Sequence, residues 1–467
     1  MIEATGPGTV GGAAGAEVLD RRFKVAVLLV TLAGAAWRVF YLIAAKWDQE
    51  LLLNDSFYYS AQARMLAEGR GFIDAFTEQP AAEHAPLTSV LLAPASLLDP
   101  YINWQRSTNT LVGIITIPLI ALVARRVAGR RVAVIAAVLA AVYPNLWMND
   151  SLVMAESVST LCAVLALWAA LRHHDRFDWR SALLCGAAVG VAALARSELL
   201  LLAPLFALIG LRSRPFRTWA PQAVLVGVSA IAMMVPWAAF NLTRFDSPVL
   251  ITTNEGNTLD GANCDETYYG PNIGGWSIGC VLDDIDRPGE DASERSRRQR
   301  EEALTYVSDN RGRVPAVVAA RLGRAADLYD LGRNVEGDAN EERARWASWA
   351  GIVSWWVLAP LAVYGWWRRR GTYGWVLAAP AVAVVVTTAA FYGLHRLRSP
   401  IEPVVVICAA MAIASLGPVR RRLDAWVEGW PGIGGHREQR AAQDDRTAPR
   451  GARADVTDPA VASGGRS

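Results

Sequence analysis

Apolar residues in this chain come in long blocks, and the charged residues are swept to the block edges. An amphipathic helix on a soluble core would show a one-sided stripe; blocks apolar all round belong in lipid. Ten such blocks predict helices at about 23–45, 108–126, 131–148, 152–171, 181–196, 198–211, 219–241, 348–367, 373–392 and 400–417. The fifth and sixth are short and fit a tilted or re-entrant hairpin as well as two full crossings. The predicted fold is an all-α integral membrane protein with about ten transmembrane helices.

Arginines orient it. Arg21–Arg22, Arg125–Arg126 with Arg130–Arg131, Arg172 to Arg180, Arg212 to Arg217, Arg368 to Arg370 and Arg420 to Arg422 fall on one side if all ten blocks cross. Basic loops stay in the cytoplasm, so both termini are expected inside. Two longer segments, about 46–107 and 242–347, then lie outside. The first carries amphipathic or apolar stretches at 56–70 and 86–98. Both are expected to cap the outer mouth of the bundle rather than to form a separate domain. The predicted organisation is a flexible cytoplasmic N-terminus (1–22), a membrane domain (23–417) and a disordered cytoplasmic tail (418–467). Residues 1–20 lack the signal-peptide pattern, so the first span is expected to remain in place.

Composition agrees: 53% of the 467 residues are hydrophobic and 19% charged, too apolar for an ordinary soluble domain. The net charge of +2 is uninformative, because in a membrane protein the placement of charge matters more than its sum; no nucleic-acid partner is expected. Cys162, Cys185 and Cys408 lie in spans and read as small core residues. Cys264 and Cys280 share an outer loop, where a disulfide is permitted; no CxxC spacing competes for them.

Candidate chemistry gathers at the outer mouths. Asp55, in Asn54-Asp55-Ser56-Phe57-Tyr58-Tyr59, precedes a predicted interfacial helix. It reads either as a helix cap beside Asn54 or as a general base for an acceptor hydroxyl. Glu83-His84 could ligate a metal or position a phosphate; adjacent residues rarely chelate one ion well, so a solvated loop is the simpler reading of the pair. Asp150 sits at the turn between the third and fourth spans. Glu156 lies inside the fourth, where an ionisable group is costly and needs a cavity or partner. Arg196 closes the fifth span, with Glu198 beside it: a mutual ion pair, or a guanidinium fork for a lipid-linked phosphate. His395-Arg396-Leu397-Arg398-Ser399-Pro400 places two arginines and a histidine outside, against the positive-inside preference, and calls for an anionic partner.

In their order and sidedness these elements resemble the GT-C superfamily of polytopic glycosyltransferases, closest to the branch of protein O-mannosyltransferases and lipid A aminoarabinose transferases. The resemblance spans roughly 23–417. It rests on the acidic residue of the first outer loop (Asp55), on His84-Ala85-Pro86-Leu87 for the commoner Pro-Pro-Leu, and on Glu156 and Arg196. Thr253-Asn254-Glu255-Gly256-Asn257 and Arg396-Leu397-Arg398-Ser399-Pro400 with Pro403 complete it, the last with Leu for the usual Tyr. Ser56 stands where a second acid is often found. The resemblance implies a polyprenyl-phosphate sugar donor whose phosphate is held by Arg196, Arg396 and Arg398. Asp55 would serve as base, inverting the anomeric carbon. Glu83, His84, Asp150, Glu156 and His395 would support them.

The acceptor would be a hydroxyl of a protein, glycolipid or cell-wall glycan at the outer face of the cell membrane. The chain has neither a strand-linked GxGxxG nor a P-loop, and a lipid-phosphate donor needs neither. No cofactor is specified. A divalent cation is conceivable on Asp260, Asp265, Glu266, Asp283, Asp284 and Asp286, although their spacing is not that of an EF-hand. The alternative is a multi-span transporter or lipid flippase, against which stands the lack of an inverted repeat.

Overall fold

The computed structural model describes residues 10–282, 287 and 289–416. The expectations placed on 1–9, on Asp283, Asp284 and Asp286, and on the tail from 418 lie outside the described residues. Among these residues the protein is helical, with one isolated β-bridge between Ile73 and Pro80.

All ten apolar blocks are helical, and five segments are long and apolar enough to cross a membrane: Asp20–Lys46, Tyr101–Val142, Phe216–Leu242, Arg345–Arg368 and Arg370–Ala390. Helix α1 (Val10–Tyr41) begins within the segment expected to be flexible. Its polar start is anchored by Asp20, which pairs with Lys24 at 3.0 Å and Arg125 at 2.7 Å. A π-helical turn, Leu42–Lys46, ends it. The first outer segment then contributes α2 (Asp55–Ala67) and α3 (Leu87–Leu92).

Helix α4 (Tyr101–Val142) holds the second and third blocks, folded back at Gly129, whose φ of 85° would strain any other residue. Its second arm buries Ala133, Ala136, Ala137 and Ala140 at helical spacing. The third block was expected to run to 148. It stops at Val142 because Pro144 forces Tyr143 into an extended conformation, and a separate α5 (Pro144–Asp150) follows. The fourth and fifth blocks are α6 (Glu156–Arg176) and α7 (Trp179–Ala195). Arg196 is extended (φ −150°, ψ 122°), so the sixth block resumes as a 3-10 turn, Ser197–Leu201, and α8 (Leu202–Ala207). Helix α9 (Phe216–Leu242) precedes the second outer segment.

That segment is made of α10 (Asn254–Ala262), α11 (Asp265–Tyr268), α12 (Ile278–Leu282), α13 (Ala292–Asp309), α14 (Val314–Ala325) and α15 (Leu331–Asn340). A disulfide joins Cys264 to Cys280 within it. Helix α16 (Arg345–Ala390) carries two blocks, bent at Tyr373. A 3-10 turn, His395–Arg398, leads to α17 (Glu402–Ser415), which packs between α4 and α16. Cys162, Cys185 and Cys408 are free and buried.

The two ends of the bundle differ in charge chemistry. At one, Asp20 meets Arg125, and Asp175 meets Arg126 at 2.8 Å and the Tyr373 hydroxyl at 2.9 Å. The start of α1, the bend of α4, the end of α6 and the bend of α16 therefore share one end, as the arginine alternation requires. The opposite end collects Asp55, Glu156, Arg196 and Arg396.

Candidate functional site

Six of the expected residues, Asp55, Glu83, His84, Glu156, Arg196 and Arg396, line one cavity of about 770 Å³. Its inner end is walled by apolar groups of the helical bundle, among them Leu201, Val386 and Leu397; its outer end reaches the second outer segment.

Asp55 is free to act because its neighbour does the capping. Asn54 Oδ1 accepts the Ser56 amide at 2.8 Å, which leaves Asp55 at the first helical position to project into the cavity. There Oδ2 accepts a hydrogen bond from Arg396 Nη1 at 3.0 Å, and Oδ1 faces His84 Nε2 at 3.4 Å. Burial alone would push the Asp55 pKa up. The Arg396 and His84 cations beside it prevail and hold the carboxyl well below the usual carboxylate range. The side chain nevertheless keeps 31% of its surface accessible, so a substrate atom can reach it. His84 is stacked on Tyr59, ring centroids 4.9 Å apart, with Tyr58 edge-on at the same distance. Burial tends to lower its pKa, but Asp55 raises it above the ordinary imidazole value. Glu83 is pushed up by burial.

Glu156, at the first turn of α6, is buried and faces three guanidinium groups: Arg196 and Arg343, each at 3.4 Å, and Arg396 at 3.9 Å. Arg196 also donates from Nε to Glu198 at 2.6 Å. The break in the helix at Arg196 is what turns this side chain into the cavity. Arg196 is thus both ion-paired with Glu198 and at the cavity wall.

Three expected residues stand elsewhere. Asp150 pairs with Arg38 at 2.7 Å and accepts the Ser157 hydroxyl at 2.7 Å, fastening α1 to the α5–α6 turn. His395 is clasped between Asp327 (Nδ1, 2.9 Å) and Asp338 (Nε2, 2.6 Å); burial opposes its charge, but the two carboxylates push its pKa up to about 9. Arg398, expected on the donor phosphate, is turned away from the cavity. It meets Asp327 at 2.7 Å and Glu402 at 3.3 Å, donates to the Ala325 carbonyl at 2.7 Å and lies 3.9 Å over the Trp355 ring. The two arginines of the last motif are two residues apart on a 3-10 turn, so they face different ways: Arg396 into the cavity, Arg398 into the protein.

Sequence reasoning missed Glu341 and Arg343. Glu341 holds Arg396 Nη1 at 2.6 Å and also pairs with Arg343, which donates to Asn149 Oδ1 at 2.8 Å. The one available signal was the dense run Glu341-Glu342-Arg343 just before a span. Tyr392, also unremarked, receives a hydrogen bond from Arg396 at 3.2 Å.

The Thr253–Asn257 element abuts the same site. The Thr253 amide donates to the Ala82 carbonyl at 2.8 Å, two residues from His84. Gly256 has no room for a side chain: a Cβ there would lie inside the contact radius of the Ser296 backbone of α13. Among the described residues, Asp246, Asp291 and Glu294 bring carboxylate oxygens within 4.8 Å of one another; Asp291 is the N-cap of α13, accepting the Ser293 and Glu294 amides.

The fold can be set beside known proteins. The chain aligns over 91% of its length with the archaeal oligosaccharyltransferase AglB from Archaeoglobus fulgidus, solved with an inhibitory peptide and a dolichol-phosphate (TM-score 0.55, 16% identity). It aligns over 88% with ArnT from Cupriavidus metallidurans bound to undecaprenyl phosphate (TM-score 0.51, 16% identity). It covers 54% and 61% of those chains respectively, so it spans little more than half their length. Residues 84–240 match the family model of dolichyl-phosphate-mannose-protein mannosyltransferases. No curated protein matches the chain in sequence. In fold the chain is similar to AglB and ArnT, and over residues 84–240 it is similar in sequence to the mannosyltransferase family. The mannosyltransferase match covers the His84 motif, Glu156 and Arg196; Asp55, Arg396 and the outer end of the cavity lie outside it.

Proposed function

We propose that this protein is a multi-pass membrane glycosyltransferase of the GT-C type, moving a sugar from a polyprenyl-phosphate donor to an acceptor hydroxyl at the outer face of the membrane, with inversion. The observation that carries the reading is the convergence of Asp55, His84, Arg196 and Arg396 on one cavity whose inner end is apolar. The dolichol-phosphate bound to AglB and the undecaprenyl phosphate bound to ArnT support the donor class. The sidedness of the arginines supports the outer face.

In this mechanism the donor lipid enters from the bilayer, and its phosphate meets Arg196 and Arg396. The acceptor oxygen forms its bond to the anomeric carbon as the bond from that carbon to the phosphate oxygen breaks. The electron pair leaves with the polyprenyl phosphate. Fixed guanidinium charge stabilises that leaving group without a separate acid. Asp55 takes the acceptor proton. Its depressed pKa makes it a weak base but keeps it ionised at every working pH, and it accepts the proton late, when the hydroxyl has become acidic. Glu341 and Glu156 hold Arg396 in place. The reading needs no divalent cation at Asp55, because Arg396 and His84 take the cationic positions around it.

The test is release of free polyprenyl phosphate by purified protein given a panel of polyprenyl-phosphate sugars and a crude membrane acceptor. Release should occur with one sugar and fall at least ~100-fold in Asp55→Asn. Full release by that variant would remove Asp55 as base, and no release from folded wild-type protein with any donor would favour a transporter.

A further inference from the structure

The outer end of the cavity is unlike the inner one. It is walled by the hydroxyls and amide of Thr252, Asn254, Thr258 and Ser296, and by two arginines, Arg297 and Arg300, that the reaction above does not use. Their i, i+3 spacing on α13 sets them on one helix face, and the close seating of α13 on Gly256 brings that face to the cavity. Neither cation is firmly engaged by its intramolecular carboxylate. Arg297 stands 3.7 Å from Glu301 and Arg300 3.7 Å from Glu255, with 51% and 42% of their side chains accessible. Exposed pairs this loose contribute little, so an anionic oxygen presented by a ligand can displace the carboxylates and engage both guanidinium forks.

We propose that Arg297 and Arg300 form a second anion subsite, which binds a phosphate or carboxylate carried by the sugar acceptor. The inference rests on the glycosyl-transfer reading. The donor's lipid belongs at the apolar inner end and its phosphate beside Arg196 and Arg396. What approaches from the outer end is therefore the acceptor, and the polar lining there suits a hydroxylated, negatively charged glycan. An anionic oxygen could also come from the donor, as the second phosphate of a pyrophosphate-linked sugar, and the experiment separates the two.

The full chain in lipid nanodiscs is given a radiolabelled polyprenyl-phosphate sugar and delipidated envelope polysaccharide. The polysaccharide is split by anion exchange into retained and unretained fractions. Label should enter the retained fraction. The double variant R297Q/R300Q should need about tenfold more of that fraction for half-saturation, with half-saturation for donor within about twofold of wild type. Equal labelling of the unretained fraction would overturn the proposal, as would a rise in the donor requirement alone, which would assign the anion to the donor. A binding arm keeps the two readings apart: inorganic pyrophosphate should raise the melting temperature of the wild-type protein more than that of R297Q/R300Q. If no sugar is transferred but that difference persists, the transfer reading falls and the anion subsite stands; equal shifts in both proteins would overturn the subsite.

Discussion

Replacing His395 with Asn should flatten the pH dependence of stability in the alkaline range. The imidazole bridges two buried carboxylates, Asp327 and Asp338, which raise its pKa from the ordinary 6.5 to about 9. A group whose pKa is raised by folding contributes its full stabilisation below its unfolded value, near 6.5, and loses it as pH climbs through the folded one. The window is therefore about 6.5 to 9. At about 1.4 kcal/mol per unit, the shift corresponds to about 3 kcal/mol. In the variant, Asp327 keeps Arg398 at 2.7 Å and Asp338 keeps Arg343 at 3.6 Å, so the outer segment loses one of several ties rather than all. Unfolding in detergent followed by tryptophan fluorescence should give wild-type midpoints that fall by a few degrees between pH 6.5 and 9.5. His395→Asn should start lower and change little, so that the two curves converge at alkaline pH. Parallel curves would refute the argument that a charged His395 holds these carboxylates together.

Arg398→Gln should lower the unfolding midpoint by several degrees, since removing one member of a buried ion pair costs about 3–5 kcal/mol. Its half-saturation for donor should stay unchanged; a selective rise would restore Arg398 to the phosphate site. Glu341→Gln removes a carboxylate that competes for Arg396, so steady-state kinetics should show tighter donor half-saturation together with a turnover about tenfold slower. Gly256→Ala should cost about 1–3 kcal/mol by forcing α13 from its seat, read as a lower melting temperature.

Span positions were legible because lipid imposes one requirement on every side of a helix, and a run of apolar residues records it directly. Breaks inside the spans were less legible. Pro144 ends α4 early and could have been anticipated; the π-helical turn Leu42–Lys46 left no comparable mark, whereas the bend at Tyr373 falls where Arg368 to Arg370 already separated two blocks. The cavity was half legible. Asp55, His84, Arg196 and Arg396 showed as charges at outer mouths, each a local anomaly. Which charge meets which depends on contacts between residues hundreds of positions apart, such as Asp55 with Arg396, and no local pattern encodes them. For the same reason Arg396 and Arg398 looked equivalent in sequence although only one faces the cavity. Glu341 and Arg343 went unnoticed because charge in an outer segment looks like solvated surface until a partner is found.

The ladder of buried ion pairs also bears on biogenesis. Asp327, Asp338 and Glu341 emerge from the ribosome before His395, Arg396 and Arg398, and until then the single Arg343 is shared between Asp338 and Glu341 while Asp327 has neither of its cations. Until α17 and the turn before it have been delivered, the outer segment carries carboxylates that cannot be buried without a heavy desolvation cost. The outer assembly therefore stays open while the chain between Glu341 and His395 is being made. The cavity that Arg396 completes can form only once the turn before the last helix has been delivered, so a nascent chain stalled before that point has no formed site.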